Sequence, residues 1–259
     1  MNPPAPPEFL DRLADAAASA IMPHFRTRFV VEHKGGDGFD PVTVADRAAE
    51  EAMRRLIGAT FPDHGIVGEE FPAERADAEH VWVLDPIDGT RAFITGLPVW
   101  GTLIGLLSRK RPVLGMMAQP FTGERYAGDG TKAWYTGPGG PQRLATRRCA
   151  RLADAMLFTT SPFLFTAEEL PAYRRLESAV RLTRYGCDCY AYAMLAAGHA
   201  DIVVDAGLKP YDIVGLIPLI EGAGGKVTTW DGGPAAGGGR IAATGDPRLH
   251  DEVLKALRT

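Results

Sequence analysis

The segment WVLDPIDGT constrains this chain more than any other part of it. An apolar run ends in Asp85, and Asp88 follows shortly after it. Pro86 fixes its own φ and favours an extended backbone at the preceding residue, so a strand should run up to Asp85 and then turn. Gly89 lets another part of the backbone approach closely. The segment therefore predicts a buried strand that ends in two neighbouring carboxylates.

Carboxylates in this arrangement are typical ligands of a hard cation. Mg²⁺ prefers oxygen ligands, keeps several waters and takes a few carboxylates together with phosphate oxygens. Asp85 and Asp88 would supply two carboxylates, Ile87 could offer its backbone carbonyl, and the amides near Thr90 could face an anion. The alternative is an ordinary Asp-Pro turn whose acids are simply solvated.

Further acidic positions favour the metal site over the plain turn. A second short apolar strand ends at Gly68 and is followed by Glu69 and Glu70. Asp46 stands at the start of an amphipathic helical pattern, and Asp212 stands at the entrance of an apolar one. Each of these two residues could instead be a helix cap. Because two strands that end in acids can share one cation, the sequence predicts a common site.

These pieces resemble the inositol monophosphatase-like family of Mg²⁺-dependent, Li⁺-sensitive phosphatases. The resemblance covers most of the chain and keeps the family's order. Its matching parts are Lys34, the Pro-Val-Thr-x-Ala-Asp box ending at Asp46, Gly68-Glu69-Glu70, the box from Asp85 to Thr90, and Asp212 followed by EGAGG. One departure is Tyr211, where many members carry Trp. Through segments 90–104 and 185–198, the chain is most similar to the histidinol-phosphate phosphatase branch.

The resemblance implies a mixed α and β fold, the layered αβαβα sandwich of the inositol monophosphatase and sugar-phosphatase type, with the metal site between two lobes. The Gly- and Pro-rich stretch 137–141 predicts the lobe boundary. Residues 1–140 would form an N-terminal α+β lobe with most of the metal ligands. Residues 141–259 would form a C-terminal α/β lobe with the last metal aspartate and the residues that contact substrate.

Periodicity predicts where the elements lie. Helices are expected over about 8–26, 44–57, 167–178, 190–197, 210–221 and 247–257. Strands are expected over about 29–33, 81–84, 100–108, 112–119, 124–128, 133–135, 155–159, 180–184, 201–205, 225–229 and 241–244. Strands that alternate with helices beyond residue 141 favour a βαβ-like second lobe.

The implied reaction is metal-assisted hydrolysis of a phosphate monoester with two or three Mg²⁺ ions per site. Glu69, Asp85 and the Ile87 carbonyl would hold one ion, and Asp85, Asp88 and Asp212 a second. The implied catalytic residues are Thr90, Asp46 and Glu69, with Thr90 and Asp46 paired to orient or deprotonate the attacking water. The amides of Gly89 and Thr90 would receive phosphate oxygens beside Asp88. Glu70 and Lys34 would not bind the metal themselves but would contact the residues that do.

The substrate that the resemblance implies is L-histidinol phosphate, whose hydrolysis to L-histidinol and phosphate belongs to histidine biosynthesis. Histidinol carries an ammonium group and an imidazole, so its site should offer acids where an inositol site offers hydroxyl partners. Asp205 matches the position where family members contact the alcohol, Asp188 is a second candidate, and Arg184 could reach the phosphate or the pocket rim. Each of the three could instead form a structural ion pair or cap.

Several alternatives stay open at this level. The chain could act on inositol 1-monophosphate or on a 3′(2′),5′-bisphosphate nucleotide. From another class, it could be an RNA-polymerase-associated binding protein with incidental phosphatase activity. The intact acids of the metal site favour a catalyst.

Composition excludes some classes of partner. The net charge of −4 argues against nucleic acid, whose binding needs basic surface. No apolar span is long enough for a membrane helix, and the N-terminus lacks a secretory pattern. The odd number of cysteines, three, fits a reducing compartment. We therefore expect a cytoplasmic enzyme with a small-molecule substrate, and the resemblance implies a homodimer.

Overall fold

The computed structural model describes residues 4–27, 32–33, 41–42 and 44–258. Lys34 lies outside these residues, so its supporting role stays a prediction. Most of the predicted strand 29–33 also lies outside them. Its described part is β1 (Glu32–His33), which pairs antiparallel with β2 (Pro41–Val42).

Two helices form the first layer. They are α1 (Glu8–Ile21) and α2 (Val44–Thr60). They pack against each other and against the seven-stranded sheet that forms the second layer. Buried residues recur every three or four positions on each, as on the core face of a surface helix. The prediction of a helix to residue 26 was too long, because the chain leaves α1 after Ile21 and continues in turns.

The second layer is a seven-stranded sheet in which the strands lie side by side in chain order. These strands are β3 (Gly65–Gly68), β4 (His80–Asp88), β5 (Gly101–Ser108), β6 (Arg111–Gln119), β7 (Glu124–Gly128), β8 (Ala133–Thr136) and β9 (Gln142–Leu144). β3 runs parallel to β4, and every later pair is antiparallel. β9 was not predicted and carries the sheet past residue 140, while the division into lobes stays a prediction.

Three short helices form the middle layer: α5 (Asp188–Ala196), α6 (Pro210–Ile213) and α7 (Ile217–Gly222). The prediction of one helix over 210–221 was wrong, because the chain turns between α6 and α7. Pro218 cannot continue a helix through Val214, since its ring would meet the carbonyl four residues earlier. Gly215, in this turn, also lies directly on Gly115 of β6. A Cβ on Gly115 would overlap the carbonyl of Gly215.

The last two layers are a five-stranded sheet and two outer helices. The strands are β10 (Met156–Thr159), β11 (Leu182–Tyr185), β12 (Ile202–Leu208), β13 (Lys226–Thr229) and β14 (Gly239–Thr244), in the order β11-β10-β12-β14-β13. Among the described strands of this sheet, β10 pairs parallel with β11 and with β12, and the other pairs are antiparallel. The outer helices are α4 (Leu170–Ala179) and α8 (Pro247–Leu257). The five layers confirm the predicted αβαβα sandwich.

Candidate metal centre

Three predicted metal ligands converge where the two halves of the chain meet. Asp85 and Asp88 stand at the end of β4, and Asp212 lies in α6. One carboxylate oxygen from each lies within 4.8 Å of the others. A shift in strand register between Asp85 and Asp88 marks an irregularity at this end of β4. The structure therefore assembles an all-oxygen donor set from residues far apart in sequence.

Glu69 is brought next to this group by strand pairing in the seven-stranded sheet. The parallel pairing of β3 with β4 places Gly68 opposite Leu84, so Glu69 and Asp85 follow at neighbouring strand ends. Burial, followed by the negative charge of Glu69, raises the pKa of Asp85 well above its usual range. Asp46, in the first turn of α2, also contributes to this rise, which places it close to the cluster.

The cluster fits a hard cation on its own chemistry. Asp85 is buried, and its Oδ1 has no hydrogen-bond partner among the residues that the structure describes. A buried carboxylate oxygen without a donor is costly unless a cation compensates it. Burial and neighbouring acids likewise raise the pKa of Asp88 well above its usual range. An oxygen-only set of this kind suits Mg²⁺ or a similar ion.

Asp212 has two structural roles. Its Oδ2 accepts a hydrogen bond of 2.6 Å from the backbone N–H of Lys209, which begins α6. The cap predicted as an alternative for Asp212 is therefore present, and the same side chain also reaches the acidic cluster. Burial raises the pKa of Asp212 to about 6, against the lowering effect of the Lys209 N–H.

The turn after β4 brings the chain into α3 (Thr90–Ile94). Gly89 begins this helix with φ of 85°, a conformation that favours glycine. A Cβ at Gly89 would lie 3.1 Å from the Cβ of Asp188, so the second half of the chain packs against this turn. The Thr90 hydroxyl donates a hydrogen bond of 3.2 Å to the Ile87 carbonyl. The predicted pairing of Thr90 with Asp46 stays a prediction.

Helix α5 reaches the cluster from the second half of the chain. The backbone N–H of Cys189 donates a hydrogen bond of 2.7 Å to Asp88 Oδ2. Asp188 adopts φ of 42°, which is uncommon outside glycine and frequent at functional sites. Burial, followed by the charge of Asp205, raises the pKa of Asp188 to about 6, while Arg91 opposes the rise. No hydrogen bond reaches the Asp188 carboxyl from the described residues.

The family is decided by comparison with known proteins. The model of the inositol monophosphatase family matches residues 8–259. The chain belongs to the inositol monophosphatase family. It is 45% identical over 257 residues to the chloroplastic bifunctional phosphatase IMPL2 of Arabidopsis thaliana, covering 95% of this chain and 72% of that protein. It is 35% identical over 214 residues to a histidinol-phosphatase of Chlorobaculum parvum, covering 82% and 81%.

Solved structures agree with the sequence relatives. An inositol monophosphatase from Zymomonas mobilis superposes with a TM-score of 0.86 at 43% identity, covering 95% of each chain. The family consists of metal-dependent phosphatases, and this chain is accordingly a phosphoric monoester hydrolase with an acidic group that could bind a metal ion. None of the described helices has the length and apolar character that crossing a membrane requires.

The other two residues predicted to contact substrate differ in burial: Asp205 is buried and Arg184 is exposed. Asp205 is buried, and its Oδ1 accepts hydrogen bonds from the Thr159 hydroxyl at 2.9 Å and the Thr160 N–H at 2.8 Å. Its Oδ2 accepts one from the Tyr192 hydroxyl at 2.9 Å. Arg184 is exposed at the edge strand β11 and makes no ion pair with a described residue. Substrate contact by either residue stays a prediction.

Sequence reasoning missed two groups that touch the metal ligands or their neighbours. One is the Cys189 N–H on Asp88, for which the sequence holds no signal, because any residue except proline supplies an N–H. The other is Glu50, a fully buried acid whose carboxylate accepts a hydrogen bond from the Glu70 N–H. Glu50 follows Asp46 by one helical turn, and that spacing could have shown that both acids share one face of α2.

Proposed function

We propose that this protein hydrolyses L-histidinol phosphate to L-histidinol and phosphate with Mg²⁺. The observation that supports this substrate most directly is the carboxyl of Asp188. It lies against Gly89, next to the acidic cluster, and accepts no hydrogen bond from the described residues. A carboxyl in that position is suited to an ammonium or imidazolium group on the alcohol side of a phosphate ester.

The proposed Mg²⁺ ligands are Glu69, Asp85, the Ile87 carbonyl, Asp88 and Asp212. Two or three bound ions would polarise the phosphoryl oxygens and lower the pKa of a coordinated water. The chain's part is to hold these oxygens close together before metal binds. The hydrogen bond from Cys189 to Asp88 and that from Lys209 to Asp212 contribute to this preorganisation.

The phosphate would be received at the start of α3. The first N–H groups of a helix have no partner within the helix, so those of Gly89 and Thr90 can donate to phosphate oxygens. Thr90, with Asp46, would orient or deprotonate the water that attacks phosphorus. The hydrogen bond from the Thr90 hydroxyl to the Ile87 carbonyl keeps this hydroxyl beside the proposed metal ligands.

The alcohol side of the substrate would meet acids rather than hydroxyl groups. Asp188 would make the direct contact with the cationic part of histidinol. Asp205 would add negative charge near Asp188, as its effect on the pKa of Asp188 indicates. Arg184, which is exposed in β11, would steer the anionic phosphate from the rim of the site.

Inositol 1-phosphate is the second candidate substrate. The likeness to the Zymomonas mobilis inositol monophosphatase, at 43% identity over nearly the whole chain, favours it. The alternatives of a bisphosphate nucleotide and of an RNA-polymerase-associated role stay predictions, as do the homodimer and the cytoplasmic location.

The test is phosphate release from L-histidinol phosphate and inositol 1-phosphate in parallel, with Mg²⁺, with chelator and with added Li⁺. We expect kcat/KM to favour histidinol phosphate by about 100-fold or more, roughly 3 kcal/mol of differential transition-state binding. Chelator should abolish turnover of both esters. A preference for inositol 1-phosphate would refute the proposed substrate, and full activity in chelator would refute the metal.

A further inference from the structure

Glu50 is a fully buried acid in the middle of α2 that plays no part in the proposed chemistry. Buried acids are rare unless they are paired, and each one needs a structural explanation. Asp46, one helical turn earlier, is also buried and lies near the acidic cluster. The same face of α2 therefore carries one acid towards the metal site and a second acid towards the chain beside it.

Both oxygens of Glu50 are held. Oε1 accepts a hydrogen bond of 2.7 Å from Arg54 Nε, and Oε2 accepts one of 2.7 Å from the backbone N–H of Glu70. Arg54 continues outward, donating at 2.9 Å to Glu74 and at 3.1 Å to the Phe71 carbonyl. The contacts of this pair with Glu70, Phe71 and Glu74 thus fasten α2 to the segment that follows β3.

Gly68 shows how closely this carboxylate fits. A Cβ built on Gly68 would overlap the Glu50 carboxyl group, so the backbone of β3 lies directly on the acid. The φ of Gly68 is not in the left-handed region, and the missing side chain is needed for space alone. Glu50 therefore contacts Gly68, immediately before Glu69, and accepts a hydrogen bond from the N–H of Glu70, immediately after it.

We infer that Glu50 is a positioning residue that holds the metal ligand Glu69 in place by fixing the backbone on both sides of it. The inference deepens the proposed function, since it rests on Glu69 binding the metal ion. Glu69 directly follows Gly68, the last residue of β3 that pairs with β4. A fixed ligand loses less conformational freedom when metal binds, so loss of Glu50 should weaken metal affinity before any chemistry occurs.

Glu50→Gln is the sharpest substitution because it keeps the size and removes one acceptor. Its amide nitrogen would face either the Arg54 Nε–H or the Glu70 N–H, and two donors would then oppose each other. Glu51→Gln is the matched control. It changes the adjacent acid of the same helix, whose partner Arg55 forms an exposed ion pair with it.

The measurement is the apparent Mg²⁺ dissociation constant from the Mg²⁺-dependent rise in Tm, recorded without substrate. We expect Mg²⁺ binding to weaken about tenfold or more in Glu50→Gln, within the range found when groups supporting metal ligands are removed. Glu51→Gln should stay within about twofold of wild type. A purely structural role for Glu50 would lower Tm in chelator and leave the Mg²⁺ dissociation constant unchanged, and that result would overturn the inference.

Gly68→Ala provides a second test that keeps Glu50. Its methyl group should displace the carboxylate and weaken Mg²⁺ binding in an otherwise native chain. In a Glu50→Ala background the methyl group has room, so Gly68→Ala should add little further loss. Additive losses would contradict the inference. If wild type binds Mg²⁺ but hydrolyses neither ester, the proposed function fails while the effect of Glu50 on Mg²⁺ still decides the positioning role. If wild type binds no Mg²⁺, both are overturned.

Discussion

The backbone N–H of Cys189 donates a 2.7 Å hydrogen bond to Asp88, joining a residue at the N-terminus of α5 to one at the end of β4. This contact ties the two halves of the chain together at the acidic cluster. Its donor is the backbone N–H, so it survives most substitutions at position 189, whereas its acceptor is the Asp88 carboxylate. The same junction brings Asp188 against Gly89, which places the predicted substrate side next to the predicted phosphate site.

Asp88→Asn should reduce turnover by more than about 100-fold, above the range for groups that only support metal ligands. The amide keeps the size of the side chain and can still accept the Cys189 N–H. It also removes one of the charges that repel one another in the cluster, so Tm in chelator should not fall. Phosphate release and thermal unfolding measure the two effects. Wild-type turnover would contradict the role of Asp88 as a metal ligand.

Asp188→Asn should lower kcat/KM for L-histidinol phosphate far more than for inositol 1-phosphate. Asn tolerates the positive φ of this position, so the fold should persist. A hydrogen bond to a charged group contributes about 1.5–3 kcal/mol, which corresponds to roughly 10–150-fold in rate. Inositol 1-phosphate is the internal control, and an equal loss on both esters would show that Asp188 does not recognise the cationic group.

Chelation should lower Tm and Mg²⁺ should restore it. Metal that binds only the folded chain stabilises it by about 2.7 kcal/mol at a concentration of roughly 100 times the dissociation constant. For a chain of this size that corresponds to about 5–10 °C. Differential scanning calorimetry across a Mg²⁺ titration measures the shift. A Tm independent of Mg²⁺ would contradict metal binding at the acidic cluster.

His250 should make stability fall in acid. It is buried between the hydroxyls of Thr228, at 2.8 Å from Nε2, and Thr244, at 2.9 Å from Nδ1. Burial, followed by the charge of Lys226, lowers the pKa of His250 to about 4. Because the folded pKa lies below the unfolded value of about 6.5, this stability is complete above pH 6.5 and is lost as pH falls towards 4. The loss is on the order of 3 kcal/mol.

The pH effect of His250 is separated from that of the acidic cluster by comparing variants. His250→Gln should flatten the fall in Tm between pH 6.5 and 4 relative to wild type. His199→Gln, at an exposed position, is the matched control for the loss of a histidine. Parallel curves for wild type and His250→Gln would refute the assignment.

Gly115→Ala and Gly58→Ala should change stability in opposite directions. A methyl group at Gly115 would overlap the Gly215 carbonyl, and overpacking of this kind costs about 1–3 kcal/mol. Gly58 lies exposed in α2 with open space around it, so alanine there should stabilise by about 0.5–1 kcal/mol. Urea unfolding measures both changes. A neutral Gly115→Ala would show that the α6–α7 turn does not rest tightly on β6.

Much of the fold could be predicted from local patterns in the sequence. The bounds of β7 (Glu124–Gly128) and α8 (Pro247–Leu257) agree with the prediction, because alternation, a turn signal or a proline start specifies each locally. The break between α6 and α7 was missed, because the apolar run continues through it. Pro218 was the local warning, whereas the contact of Gly215 with Gly115 is visible only in the folded chain.

For the site, the sequence by itself determined which carboxylates are available and that they follow predicted strands or begin predicted helices. Tertiary structure alone decided that Asp85, Asp88 and Asp212 meet, that Asp205 is engaged by Tyr192, and that Glu50 lies beneath Gly68. The physical reason is the sequence separation over which each kind of interaction acts. Periodicity, turns and caps depend on neighbours a few residues away, whereas hydrogen bonds and close approach between distant segments depend on how the layers pack.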